Sequence, residues 1–205
     1  MKDNYTDLRI IRTKESIREA LIELIEEKGF EAITVKDITT RARINRGTFY
    51  VHYENKFDLI TKLEDEFMHN LAQIAKQNIK HDSDPVEVDL PRILETAVFE
   101  YLNESGDFLH AVLGPKGNVT FQTRLKDFML NIMFEGQNPL IKEEGLLVSK
   151  QYLATYIASA HIGVIQKWLE TGRKESPQEI AQFLANLTAK GSFPAAGIKI
   201  GTSIN

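Results

Sequence analysis

The sequence contains no cysteine, which removes disulfides, thiolate-bound zinc and thiol nucleophiles together and suits a reducing compartment. No apolar run approaches the roughly 18 residues that span a bilayer, and the opening MKDNYTDLRIIRTKES is charged where a signal peptide is apolar. A cytoplasmic protein with no membrane partner is expected. Twelve glycines and six prolines exclude collagen-like and proline-rich chains. There is no P-loop, G-x-S-x-G elbow, dinucleotide fingerprint or H-E-x-x-H motif. His69, His110 and His161 are scattered, without i,i+4 pairing or clustered carboxylates, so no metal and no cofactor are expected, and an enzyme reading has nothing to stand on.

What remains is a 205-residue chain, 42% apolar and 26% charged, long enough for one large domain or two small ones. Helical periodicity dominates it, and the fold class is all-α. Ile17, Ala20, Leu21, Leu24 and Ile25 recur at helical steps within a first helix from about Leu8 to Lys28, which Gly29 stops. Thr34 caps a short second helix, with Asp37 at its positive end, and Asn45 caps a third, Arg46 to about His52. The stripe Phe57, Ile60, Leu63, Phe67, Leu71 and Ile74 predicts a long fourth helix from Lys56 to about Ile79, ending before the candidate linker HDSDPVEVD. Further helices are expected at about Leu90 to Asn103, Gly106 to Leu113, Val119 to Gly136, Leu147 to Gly172 and Pro177 to Lys190, then a frayed Gly-rich tail. The expected organisation is an N-terminal three-helix domain over residues 1–55, a larger C-terminal helical bundle over 56–190, and a flexible tail over 191–205.

Two short helices joined by a tight turn form the pattern of a helix-turn-helix. Ile33, Val35, Ile38, Ala42, Ile44 and Phe49 are placed to bury. Left outside are Lys36, Arg43, Asn45, Arg46, Thr48, Tyr50, His52 and Lys56, whose donors match phosphate oxygens and base edges. Arg41 has two readings, a partner for the end of the second helix or a phosphate ligand. Residues 36–56 carry a local charge of +3 inside a chain of −4, so DNA contact is confined to one face of an otherwise acidic body.

The run from Gly29-Phe30 through Thr34-Val35-Lys36-Asp37-Ile38 to Ala42-Arg43-Ile44-Asn45-Arg46-Gly47-Thr48-Phe49-Tyr50-Val51-His52-Tyr53-Glu54-Asn55-Lys56 resembles the N-terminal domain of TetR-family transcriptional regulators. A second similarity lies in Trp168-Leu169-Glu170-Thr171-Gly172 followed by Ser176-Pro177-Gln178-Glu179-Ile180, a spacing of one group of TetR-like C-terminal domains. The resemblance implies that Lys36, Arg46, Gly47 and Thr48 approach bases while Asn45, Tyr50, His52 and Lys56 bind mostly the backbone. It also shows a departure: the family usually has glycine where this chain has Arg43. A positive φ there would cost arginine roughly 1 kcal/mol, to be set against an added phosphate contact.

The C-terminal aromatic and methionine residues Phe67, Phe99, Phe108, Phe121, Phe128 and Met129 read either as plain core or, as the resemblance implies, as the walls of a pocket for a small apolar effector. In the helix from Leu147 to Gly172, Ala154, Ala158 and Gly163 permit close helix approach while Ile162 and Trp168 fill the margins, a pattern for a two-chain bundle. The resulting expectation is a homodimeric regulator, a repressor of a palindromic double-stranded DNA operator released by a small molecule. The alternative is an adaptor or coactivator of the same fold controlled by a partner protein.

Overall fold

Apolar residues at three- and four-residue steps build α1, Lys2–Lys28. In the computed structural model, which describes residues 2–78, 96–135, 141 and 143–198, it begins six residues before Leu8. A 3-10 turn, Phe30–Ala32, leads to α2 (Val35–Arg41), α3 (Arg46–His52) and α4 (Lys56–Asn78). Then follow α5 (Thr96–Glu104), α6 (Gly106–Leu113) and α7 (Val119–Leu130), which continues into a π-helical turn, Asn131–Glu135. The chain closes with α8 (Lys150–Glu170), α9 (Pro177–Lys190) and the short α10 (Ser192–Ala195), where a frayed tail was expected. No described residue is in a strand, and the fold is all-α as expected. The linker HDSDPVEVD, residues 90–95, Gly136 and residues 199–205 lie outside the described residues.

The compact units do not follow the expected boundary at residue 55. One unit combines Met1–His69 with Asp107–Gln122, and the other combines Asn70–Gly106 with Thr123–Asn205. In the first, Ile17, Leu21 and Ile25 of α1 pack with Ile33, Ile38, Phe49 and Leu59, all 2% exposed or less. Phe67, Phe108 and Phe121 form a closed triangle with ring centroids 5.7–6.1 Å apart. Phe57, expected on the buried stripe of α4, is 55% exposed, and Leu59 takes the core position instead. The ring of Phe57 stands edge-on to Phe30 at 5.6 Å.

The end of α1 explains why residues 107–122 belong here. A helix leaves its last carbonyls without internal partners. Gly29, at φ 82°, turns the chain away, and Lys116 Nζ donates to the carbonyls of Glu26 and Glu27 at 2.9 and 3.2 Å. The backbone N–H of Phe30 donates back to the Lys116 carbonyl at 3.2 Å, and His110 Nδ1 lies 2.7 Å from Glu26 Oε1. Deeper in, the Glu64 carboxylate accepts from Asn118 Nδ2 at 3.0 Å, while Asn118 Oδ1 accepts from Thr120 N–H at the start of α7.

In the second unit a reciprocal Ser176–Glu179 cap with Pro177 starts α9, which packs on α5 and runs back along α8. Trp168 is 2% exposed, and its indole N–H donates to the Glu175 carbonyl at 2.8 Å. Arg173, at φ 55°, donates to the Asn103 carbonyl at 2.8 Å and covers Gly106, where a Cβ would lie 1.9 Å from Nη1. His161 of α8 is buried; its Nδ1 lies 2.7 Å from the Ile157 carbonyl and its Nε2 3.4 Å from the Thr188 hydroxyl of α9.

Burial pushes the His161 imidazole below its usual pKa, the Ile157 carbonyl only partly opposing this. The unfolded chain therefore takes up this proton first on acidification, and stability present above about pH 6.5 is lost below it. The urea midpoint of the wild type should fall between about pH 7.5 and 5.5, and that of His161→Gln should fall less. Equal pH dependence of the two would remove His161 as its source.

Candidate nucleic-acid interface

Contacts within the chain fix α3 at both ends. Thr34 and Asp37 form a reciprocal cap on α2, and Lys28 pairs with Asp37 at 2.7 Å, which holds that carboxyl well below the usual carboxylate range. Ala42 N–H donates to the Ile38 carbonyl at 2.8 Å, Arg43 adopts φ 55°, and Ile44 N–H returns to the Thr39 carbonyl at 3.0 Å. Asn45 then caps α3 by accepting from Gly47 N–H at 2.9 Å. Phe49, fully buried, anchors the inner face, and Tyr53 is 6% exposed below it. At the far end Asn55 Oδ1 accepts from Phe57 and Asp58 N–H, and Lys62 Nζ reaches the His52 carbonyl at 3.2 Å. The sequence reading gave no role to Asn55 or Lys62; an Asn directly before Lys56 is a cap signal that could have found the first.

Of the nine residues expected to meet DNA, Lys36, Arg43, Asn45, Arg46, Gly47 and Tyr50 are exposed, while Thr48, His52 and Lys56 are half-buried. Arg46 Nη2 donates to the Tyr50 hydroxyl at 3.1 Å. At Gly47 a Cβ would meet only Asn45 Oδ1 at 3.5 Å, an ordinary contact, so nothing inside the chain demands glycine there.

Lys56 is placed differently from the expectation. Its Nζ donates to the Phe30 and Glu31 carbonyls at 3.0 and 2.8 Å and lies 5.0 and 5.1 Å from the Phe30 and Phe57 ring centroids. These contacts tie α4 to the 3-10 turn and direct the ammonium inward. Arg41 is exposed, and its guanidinium is forked between Glu23 and Glu27 of α1 at the surface.

Residues 17–63 match the model of bacterial regulatory proteins of the tetR family, and residues 94–190 match a transcriptional regulator C-terminal region of the same family. The chain belongs to the TetR family. TetR-family members are transcription factors, not enzymes. The chain is 24% identical over 198 residues to the HTH-type transcriptional regulator YxbF of Bacillus subtilis, covering 92% of this chain and 48% of that protein. It spans about half the length of the curated relatives it matches. Its fold is similar to that of FadR from Bacillus subtilis, solved in complex with stearoyl-CoA (TM-score 0.62, 19% identity, 87% and 98% of the two chains covered). It is also similar to NalD, the secondary repressor of the MexAB-OprM efflux pump in Pseudomonas aeruginosa (TM-score 0.60, 18% identity, 89% and 97% covered). Among the described residues no helix is long and apolar enough to cross a membrane.

Of the six residues named for an effector pocket, Phe67, Phe108 and Phe121 belong to the first unit and Phe99, Phe128 and Met129 to the second. Phe67, Phe108 and Phe121 are filled core of the first unit, each 3% exposed or less and meeting one another edge-on or tilted. Phe99 is 2% exposed in the second unit, where Phe128 is half-buried and Met129 packs against Met133, Phe134 and Ala154. A cleft of about 450 Å³ in the first unit has a mixed lining, with Lys14, Arg18, Lys62 and Glu66 beside Ile11 and Leu63.

The dimer residues need a similar correction. Ala154, Ala158, Ile162 and Trp168 are 2–3% exposed and face their own chain. Of the five, only Gly163 is on the open face of α8, beside Tyr152, Tyr156 and Ala160, and a Cβ built on it meets nothing within 4 Å. Exposed Phe183 and Leu187 on α9 were missed by the sequence reading, because their apolar character alone does not tell which helix face is open.

Arg43→Gly and Lys56→Met should move stability in opposite directions. Glycine at a left-handed position should raise the unfolding free energy by about 1 kcal/mol. Loss of the two carbonyl contacts of Lys56 should lower it by about 1–3 kcal/mol. Urea unfolding of both variants checks this; a Lys56→Met protein as stable as the wild type would return Lys56 to the DNA-binding set.

Proposed function

We propose that the chain is a homodimeric transcriptional repressor that docks α3 of each copy in successive major grooves of a palindromic operator. The observation that carries this reading is the reading helix itself. Its apolar side is locked by Phe49, its start is capped, and Arg46, Gly47 and Tyr50 face outward beside Lys36 and Arg43. Lys36, Arg46, Gly47 and Thr48 address bases, and Arg43, Asn45 and His52 hold the backbone. Glycine at position 47 lets the helix backbone close on a thymine methyl or a phosphate.

A second copy of the chain suits the open face of α8 and α9. Tyr152, Tyr156, Phe183 and Leu187 are 78%, 65%, 49% and 38% exposed there, and Gly163 weakens an exposed helix interior with no internal reason. Close approach of a second helix supplies that reason. The effector is a small apolar molecule admitted in the second unit near half-buried Phe128 and Met129, as the acyl-CoA complex of FadR suggests by likeness of fold. It releases the operator by binding better to the conformation that sets the reading heads out of register. The repressor sign is taken from NalD, and the setting is the cytoplasm.

Selection of full-length protein on randomised duplex DNA should enrich an inverted repeat with half-site centres about 34 Å apart. Enrichment of no sequence would reject the function. In sedimentation the wild type should run as a dimer, and Gly163→Trp should run as a folded monomer. A dimeric Gly163→Trp protein would move the interface elsewhere.

A further inference from the structure

Arg46 and Tyr50 stand four residues apart on α3 and share its outer face. Arg46 Nη2 donates to the Tyr50 hydroxyl at 3.1 Å, and the guanidinium carbon is 5.9 Å from the tyrosine ring centroid. That ring meets Phe49 edge-on, with centroids 5.6 Å apart and planes at 86°. Phe49 is fully buried. A continuous line of contacts thus runs from the core of the reading head through Tyr50 to the guanidinium. Resting on the DNA-reading function above, we propose that Tyr50 is a specificity-determining positioning residue, which holds Arg46 so that it reads one guanine in each half-site.

An exposed arginine without such a hold has several rotatable bonds, and phosphate oxygens offer it targets on every sequence. Contacts to phosphate carry no base information. The tyrosine hydroxyl takes one of the five guanidinium N–H donors, leaving a two-donor edge of the kind that matches O6 and N7 of guanine. Confinement before binding also lowers the entropy lost when the side chain is fixed on the base. The neighbouring Gly47 presents no side chain toward the groove, so the backbone can approach until that edge reaches the base. The geometry therefore assigns Tyr50 to orientation of Arg46 and not, as the family resemblance implies, to the DNA backbone.

The experiment is selection on randomised duplex DNA with the full-length wild type, Tyr50→Phe, Arg46→Ala and the double variant. Affinities follow on the enriched duplex and on a copy with the guanine pair replaced by an A·T pair, over a series of salt concentrations. Tyr50→Phe keeps the ring and removes only an exposed hydroxyl. It should cut the preference for guanine at one position per half-site by roughly 3- to 10-fold, a part of what a full bidentate contact supplies. Affinity for the replaced duplex and the salt slope should stay unchanged. Arg46→Ala should erase the preference at the same position, and the double variant should match Arg46→Ala. Tyr50→Phe weakening both duplexes equally, with the salt slope unchanged because the phenol hydroxyl carries no charge, would make Tyr50 a ligand of the DNA backbone and overturn the proposal. An unchanged guanine preference in Tyr50→Phe, or loss at a position other than that of Arg46→Ala, would overturn it as well. A wild type that enriches no sequence would overturn the DNA-reading function and this inference with it.

Discussion

The carbonyl groups at the end of α1 set a demand that the rest of the reading head answers. A helix that stops inside a folded unit leaves acceptors without partners, and here one lysine from a distant part of the chain serves the end of α1 and another the 3-10 turn that follows it. Lys116 takes the carbonyls of Glu26 and Glu27, and Lys56 takes those of Phe30 and Glu31. The loop carrying Lys116 brings α6 with it, so Phe108 enters the aromatic triangle and Asn118 meets Glu64. Through Lys56, the start of α4 is fixed to the turn that precedes α2.

The same contacts redistribute charge. Residues 36–56 carry a net +3 when counted along the sequence, yet Arg41 is neutralised by Glu23 and Glu27, and Lys56 is occupied by carbonyls. Exposed on this segment besides the paired Arg41 are the cations Lys36, Arg43 and Arg46. In the proposed function, a smaller outward charge reduces the sequence-independent attraction to phosphate, so discrimination by the residues assigned to bases gains weight. Arg43 belongs to both sides of this balance, since it holds a left-handed turn position that suits glycine while adding one of these three exposed cations.

Much of the head was legible because its signals are local. The Thr34–Asp37 and Asn45 caps, the three-residue turn and the inward side of Phe49 follow from residues a few positions apart, and all are present. The C-terminal half was read less well, and for one reason. On α8, small and large apolar residues occur on both sides, so periodicity marks a helix without telling which stripe faces its own chain. Ala154, Ala158, Ile162 and Trp168 went inward, and Tyr152, Tyr156 and Gly163 outward. The pocket residues met the same difficulty, since aromatic side chains fill a core as readily as they line a cavity, and Phe67, Phe108 and Phe121 fill each other's space.

The amino-acid sequence by itself determined the helical class, the helix-turn-helix with its caps, the outward set around Arg46 and the family. Each of these depends on hydrogen bonds and apolar spacing within a few residues or one helical turn. Only the tertiary structure decided that carbonyls hold Lys56 and carboxylates hold Arg41, that residues 107–122 join the first unit, and which face of α8 stays open. Those outcomes turn on which donor reaches which carbonyl or carboxylate across 14 to 90 residues of chain, a distance over which spacing in the sequence carries no geometric information.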